Sequence, residues 1–454
     1  MTRPADLGVS EASALLARGE LSSAELVDAC LARIDERDGR HSHDGDSESI
    51  NAWVRVYAED ARAEARAADA RRAAGDAPAL CGVPVGLKDL YAVAGKPLTA
   101  SSRLLHEVPD RDCDVWARLR AEGMVLLGHL HTHEFAVGGT TDQVGNPWAL
   151  DRSAGGSSGG SGAALAARMV PAATGTDTAG SLRIPSARCG TSTIKPTRGL
   201  VSLRGIVPLS PSLDHAGPMA RSVEDCTLLL RAMAGLDPGR GLRARPLAGL
   251  RFALSPRDGG FELDEDTAAG FDGAVAAVRA LGGVLVDPPP PGAPLDVGRD
   301  FLDVLRADLL VYHRRFDDRR EGYRPSLREW VESGEREPVS GEGYAAAQVR
   351  RGEAAAAWAD WFAEHGVFAL LEPTIPVVAR PRGDGYEHAG TDRVEIALTH
   401  YWNWIGVPAV ALPASLGRRT GLPTSVSLIG PAGTDWALLE VATTLQSELG
   451  VPAL

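Results

Sequence analysis

Short apolar runs of strand length alternate with helical stretches from residue 51 almost to the end of this 454-residue chain, and that alternation limits the fold more than any other feature. The segments 51–60, 81–93 and 124–130 read as strands, with an Ala/Arg-rich helix at 61–75 and a helix at about 112–122 between them. The pattern resumes at 250–256, with a helix over 266–280 and a strand before the proline run of 288–291. A helix-rich stretch at 296–363 is followed by strands at 366–376, 406–415 and 421–430. The closing segment 434–449 is an amphipathic helix with Leu438, Val441, Ala442 and Leu445 on one face. The N-terminal residues 10–38 read as two helices, the second opened by a Ser22 to Glu25 capping box. Strands interleaved in this way must be covered on both faces. The expected fold class is therefore α/β, a single-domain α/β/α sandwich over 1–454 with one large mixed sheet, and a helical segment at about 1–75.

Composition narrows the function classes. With 44% hydrophobic and 24% charged residues the chain can bury a sizeable core. The 47 basic against 60 acidic residues leave a net charge of −13, and the arginines of 61–75 alternate with acids and alanines as on a solvated helix face. No nucleic-acid partner is expected from such a surface. Cysteines at 30, 81, 113, 189 and 226 form no CxxC pair and are odd in number, which suits reduced thiols. Without a signal-like N-terminus or an apolar run of spanning length, the expectation is a cytoplasmic protein with no membrane partner.

The stretch GGSSGGSG at 155–162 has several possible uses. A linker would not sit between immediate strand and helix signals. A phosphate loop would need a lysine after Gly160, where Ser161 stands. The string Gly155 to Gly159 satisfies GxSxG, but a nucleophile elbow also needs a downstream acid and histidine, and nothing selects Asp214 and His215, or His313, for that role. A second small-residue run, GTDTAGSLRIP at 175–185, also carries a serine, and Lys88 lies in the apolar run 81–93. Small residues let backbone N–H groups converge on a developing oxyanion.

These segments, together with HEFAVGGTTDQVGNPW (133–148), KPTRGLVS (195–202) and SLDHAGPMARSVED (212–225), resemble the amidase signature family of serine hydrolases. The likeness is strongest over a core of about 82–226 and continues weakly to the C-terminus. It implies an amidase that cleaves a small-molecule carboxamide or related C–N bond through an acyl-enzyme, with no cofactor and no metal. By position it implies that Ser181 is the nucleophile, Ser157 the bridging serine after a cis peptide bond, and Lys88 the terminal base. Thr178, Ala179, Gly180 and Ser181 would supply the backbone oxyanion hole, and Gly156, Ser158, Asp177 and Arg183 would support the loops. Ala179-Gly180 departs from the frequent pair of glycines and resembles the TAGS of allophanate hydrolases; the extra methyl needs a negative φ.

Physical chemistry supports the lysine independently. A lysine is a base near neutral pH only where its ammonium form is disfavoured, and Val85, Leu87 and Leu90 offer an apolar setting. Competing with this scheme, His129, His131 and His133 alternate and could face one way as metal ligands of a metallohydrolase. Specificity should come from 135–141 and the helices of 296–363, with Phe135, Gly138, Thr140, Thr141, Tyr312 and Trp402 as candidate contacts and His313 and Tyr344 as further wall residues. The main alternative is the glutaminase subunit of a tRNA-dependent amidotransferase, which would need partner subunits. An allophanate or carbamate hydrolase and a non-catalytic binding protein are the others. Partners expected beyond these are the amide substrate, with a homodimer admitted.

Overall fold

A computed structural model describes residues 3–240, 243–256, 260–293, 295–383, 385–387 and 393–454. The strands are β1 (Trp53–Val56), β2 (Pro84–Lys88), β3 (Val125–Leu130), β4 (Gly145–Asn146), β5 (Ala149–Ser153), β6 (Ala172–Asp177), β7 (Ser192–Lys195), β8 (His215–Ala220), β9 (Arg251–Leu254), β10 (Val284–Val286), β11 (Ala369–Pro373), β12 (Ala409–Leu416) and β13 (Pro423–Ile429). The helices are α1 (Val9–Arg18), α2 (Ser23–Arg37), α3 (Ala58–Ala73), α4 (Asp114–Ala121), α5 (Gly159–Ala166), α6 (Arg183–Cys189), α7 (Val223–Met233), α8 (Glu265–Ala280), α9 (Gly298–His313), α10 (Pro325–Arg336), α11 (Gly341–His365), α12 (Arg393–Ile396), α13 (His400–Trp404) and α14 (Asp435–Leu449).

Among the described residues, eleven strands form one mixed sheet in the order β1-β3-β2-β6-β8-β7-β12-β13-β11-β9-β10, and β4 and β5 form a separate hairpin. The large mixed sheet expected from the alternation is the one observed. β2 runs parallel to both β3 and β6, so the ends of these three strands carry Lys88, Leu130 and Asp177 to the same edge of the sheet. In sheets of this kind, loops beyond the carboxyl ends of parallel strands are where ligands bind.

Local sequence accounts for most elements. Ser22 Oγ accepts from Glu25 N while Glu25 Oε2 accepts from Ser22 N at 2.9 Å, which completes the capping box that starts α2. β2, β3 and β6 are buried along their whole length, as strands covered on both faces must be. The sequence does not signal β7 and β8, because β8 carries Gly217 and Pro218, residues that weaken a strand pattern. There a small residue is required: a Cβ on Gly217 would stand 2.6 Å from Ile194 O of the neighbouring strand. The five cysteines are buried and unpaired. No helix among the described residues is long and apolar enough to cross a membrane.

The helix α14 shows how the periodicity becomes core. Leu438, Val441, Ala442 and Leu445 are all fully buried, and the helix packs against β12, α7 and α8. Replacing Leu445 by alanine removes a buried isobutyl group and leaves a cavity, so Leu445→Ala should lower stability by about 2–5 kcal/mol. Chemical denaturation should show this as an earlier midpoint, while activity per folded molecule stays unchanged.

Candidate active site

Lys88 is the last residue of β2 and is wholly buried. Its backbone N–H donates to Thr174 Oγ1 at 3.1 Å, which ties the strand end to β6. Its Nζ lies 2.8 Å from Ser157 Oγ, 2.9 Å from Ser158 Oγ and 2.9 Å from Thr176 Oγ1. Among the described residues, no carboxylate pairs with it. Burial pushes the Lys88 ammonium down to about 7, against a smaller opposing pull from Asp177 and Asp214. Ser158 directs its own hydroxyl proton toward Thr176 O at 3.4 Å, leaving its oxygen as an acceptor. A neutral amine can therefore donate to Ser158 and Thr176 and still present a lone pair to Ser157.

The peptide bond between Gly156 and Ser157 is cis, as the resemblance implies. Gly156 has no room for a side chain, since a Cβ there would lie 2.1 Å from Thr140 O. Ser157 O is held by the backbone N–H of His133 at 2.9 Å and by Thr141 Oγ1 at 3.1 Å. Thr141 thus fixes the Ser157 loop from behind instead of facing a ligand. Ser161 donates to Thr174 O at 2.8 Å, a bond internal to this framework.

The loop after β6 carries Ser181, which is 6% exposed. Among the described residues, the backbone N–H groups of Thr178, Ala179, Gly180 and Ser181 bond to no acceptor. Gly180 has φ +141°, and a Cβ there would meet Thr399 Oγ1 at 2.3 Å, so only glycine fits. Ala179 is not among the residues with positive φ, and its methyl is tolerated as expected. No hydrogen bond joins Ser157 Oγ to Ser181 Oγ among the described residues; the two loops are linked by Ser158 N donating to Ser181 O at 3.3 Å.

A buried ion pair holds this loop. Arg183 Nη2 meets Asp177 Oδ1 at 3.0 Å, and Asn403 Nδ2 donates to the same carboxylate at 2.8 Å. Burial alone would raise the Asp177 carboxyl, but Arg183 overrides it and keeps the group well below the usual carboxylate range. Asp214 accepts from Thr178 Oγ1 and from the backbone N–H of Leu209 and Ser210. Its burial outweighs those bonds and pushes its carboxyl up to about 6.

Ser181, Thr178 and Ala179 open onto a cavity of about 670 Å³. The expected regions do supply its wall, but through different side chains. Ala136 to Gly139 line one side, Gly138 among them, and Phe301, Leu302, Leu305 and Trp330 from α9 and α10 line another. Phe135, Thr140, Thr141, Tyr312, His313, Tyr344 and Trp402 do not line it. Phe135 is wholly buried with φ +49° and packs against Tyr312, His313, Phe316 and Tyr323. Trp402 is also wholly buried, donating through Nε1 to the Glu372 carboxylate. Thr140 O lies 2.8 Å from His133 Nδ1, and the Tyr344 hydroxyl donates to Asp308 at 3.0 Å.

The three alternating histidines disperse. His129 uses both ring nitrogens, with Tyr57 at 2.8 Å and Tyr91 O at 3.1 Å; His131 meets Ser101 and His133 meets Thr140 O. No group of three His, Cys, Asp or Glu side chains among the described residues is arranged to hold a metal ion. The sequence reading does not single out Thr176, Asn403 or the apolar residues of α9 and α10. Thr176 has a signal: Thr174, Thr176 and Thr178 alternate along β6 and just beyond it, and the first two meet Lys88. Asn403 has none, lying 226 residues from its partner Asp177.

A family model described as Amidase matches residues 25–439. A glutamyl-tRNA(Gln) amidotransferase subunit from Roseiflexus castenholzii is 36% identical over 98% of this chain and 96% of its own length. A solved 6-aminohexanoate cyclic dimer hydrolase is similar with a TM-score of 0.86 and 29% identity, over 99% of this chain and 98% of the other. The solved glutamyl-tRNA(Gln) amidotransferase subunit from Thermotoga maritima gives a TM-score of 0.77 and 25% identity, over 98% and 95%. Matched by the family model over nearly all of its length, the chain belongs to the amidase family.

Proposed function

We propose that the chain hydrolyses a carboxamide C–N bond by acyl transfer to Ser181, with Ser157 and the neutral amine of Lys88 as the proton relay. The observation that carries this reading is the wholly buried Lys88, held by hydroxyls alone and pushed down to about 7. Lys88 Nζ takes the Ser157 proton as Ser157 takes that of Ser181, and Ser181 Oγ bonds to the carbonyl carbon. The resulting oxyanion would be met by the unengaged N–H groups of residues 178–181. Collapse breaks the C–N bond, the relay run backwards protonates the leaving nitrogen, and water then cleaves the ester by the same path. The missing link between Ser157 and Ser181 is one that a bound substrate would close, since such bonds are often long before substrate arrives.

The wall favours an amide whose acyl group carries an apolar body, because Val137, Leu209, Phe301, Leu302, Leu305 and Trp330 face the space beside Ser181. A second reading is favoured by the sequence relatives, which are glutamyl-tRNA(Gln) amidotransferase subunits. Glutamine would then be the amide, and its ammonia would pass to a glutamyl-tRNA brought by partner subunits. The comparisons weigh more toward this second reading, through relatives 36% identical, than toward the first, for which the 6-aminohexanoate cyclic dimer hydrolase speaks at 29% identity and a TM-score of 0.86.

Ammonia release by the purified chain from glutamine and from apolar primary amides separates the two. Turnover of apolar amides with glutamine inert supports the first reading, and the reverse supports the second. In either case Ser181→Ala should lose on the order of 10⁴-fold or more in rate, while a chelator leaves the rate unchanged. Full activity in that variant would sink the mechanism.

The pH profile tests Lys88 separately. The amine works as a base only when deprotonated, so kcat/KM should climb as pH rises through about 7 and fall away below it. Lys88→Ala should lower kcat/KM and abolish that limb; a limb that persists in the variant would assign it to another group.

A further inference from the structure

The loop that carries Ser181 commits its carbonyls rather than its N–H groups. Ala179 O accepts from Thr399 Oγ1 and Gly180 O from Ile184 N at 2.7 Å, while the N–H groups of Gly180 and Ser181 bond to no acceptor among the described residues. The peptide bonds 179–180 and 180–181 are trans, so each N–H points opposite to the carbonyl of its own peptide. Holding Ala179 O therefore turns Gly180 N–H away from Thr399. Gly180 sits between Ala179 and Ser181, and both of those line the cavity of about 670 Å³.

Of these two holds, one is backbone to backbone and only the other belongs to a side chain. Thr399 is 1% exposed and lies 220 residues from Ala179 in sequence. Its hydroxyl has one proton and two carbonyls in reach. Ile396 O, at 3.3 Å, is already supplied by Thr399 N at 3.0 Å and by His400 Nδ1 at 2.8 Å. Ala179 O has no other donor among the described residues, so it takes the hydroxyl proton. A buried bond of this kind polarises the peptide it joins: density drawn toward Ala179 O makes Gly180 N–H a stronger donor, by on the order of 10–30% in hydrogen-bonded chains. Thr399 also comes from the cavity wall, since Ile396, Ala397 and His400 on either side of it line the space beside Ser181.

We propose that Thr399 is a positioning residue for the oxyanion, its hydroxyl aiming and polarising the Gly180 N–H for the oxygen that becomes charged as Ser181 attacks. The assignment rests on the reading of Ser181 as the nucleophile. Because that charge develops only on the way to the transition state, the hydroxyl should matter to kcat and little to KM. Losing a whole oxyanion donor costs on the order of 100–1,000-fold in kcat, so misaiming one should cost about tenfold or more.

Hydrolysis of p-nitrophenyl butyrate by the full chain tests this, because its phenolate leaves without a proton and the readout isolates acyl transfer through Ser181. Thr399→Ala should lower kcat about tenfold or more with KM within about twofold of wild type, and Thr399→Ser should restore most of the rate. The two variants lack the same methyl and differ by the hydroxyl alone, so a role in packing would leave them equal. Equal kcat values in the two, or a loss that falls on KM, overturns the proposal. If Thr399→Ala does not fold, Thr399→Cys replaces it, a thiol being a poorer donor: a kcat clearly below that of Thr399→Ser supports the assignment and an equal one refutes it. Ser181→Ala separates the two levels. Loss of saturable turnover in Ser181→Ala with full kcat in Thr399→Ala defeats the Thr399 assignment alone. Turnover that survives Ser181→Ala, or none by the wild-type chain, defeats the nucleophile reading and this proposal with it.

Discussion

The rest of the site depends on keeping one amine away from water and from counter-charges. Lys88 is buried at the seam of β2 and β6, where an unpaired ammonium would be severely penalised. The chain answers with three hydroxyls and no carboxylate in contact. A carboxylate there would have restored the charge and ended any use of the amine as a base. The nearest acid on the loop, Asp177, is instead committed to Arg183 and Asn403, which confines its negative charge to an ion pair. Asp177 still pulls the Lys88 ammonium upward, and burial of the amine outweighs that pull.

This division of labour explains why the loops are rich in small residues. Ser157 and Ser181 come from segments packed so closely against their surroundings that a side chain at Gly156 would collide with the Thr140 backbone, and one at Gly180 with Thr399. The support then comes from farther away: Thr141 and His133 hold Ser157 O, and Thr399 donates to Ala179 O. Backbone N–H groups left without partners on the Ser181 loop are costly in a folded chain. They are tolerated where the packing around the loop is strong enough to hold it.

The candidate reacting groups are legible in the sequence and their surroundings mostly are not, for a physical reason. Lys88, Ser157 and Ser181 sit in short segments whose composition is constrained by close backbone approach, so their patterns are recognisable. The Thr174 and Thr176 alternation is equally readable, because a strand places every second residue on one face. The pocket wall is not. An aromatic residue in a helix is equally suited to core or cavity, and Phe135, Tyr312 and Trp402 prove to be packing, while Phe301 and Trp330 reach the cavity. The histidine alternation misleads for the opposite reason: β3 ends at Leu130, so His131 and His133 lie beyond the stretch where alternation fixes a common face.

In the proposed scheme, reaction and recognition are therefore built by different parts of the chain. The amine, the two serines and the loop N–H groups all lie between residues 88 and 181: Lys88 ends β2, Ser181 lies in the loop after the neighbouring β6, and Ser157 lies between the separate β4–β5 hairpin and α5. Part of the wall facing Ser181 comes from α9 and α10, which pack on each other and contribute no strand to the sheet. Substitutions on those helices can change which acyl group fits without disturbing the hydroxyls around Lys88. Such a separation would be compatible with a chain that matches one amidase-family model almost end to end while resembling both amidotransferase subunits and a 6-aminohexanoate cyclic dimer hydrolase. In that scheme the strand ends and loops carry the chemistry, and the choice of amide would rest with the side chains that line the cavity beside Ser181.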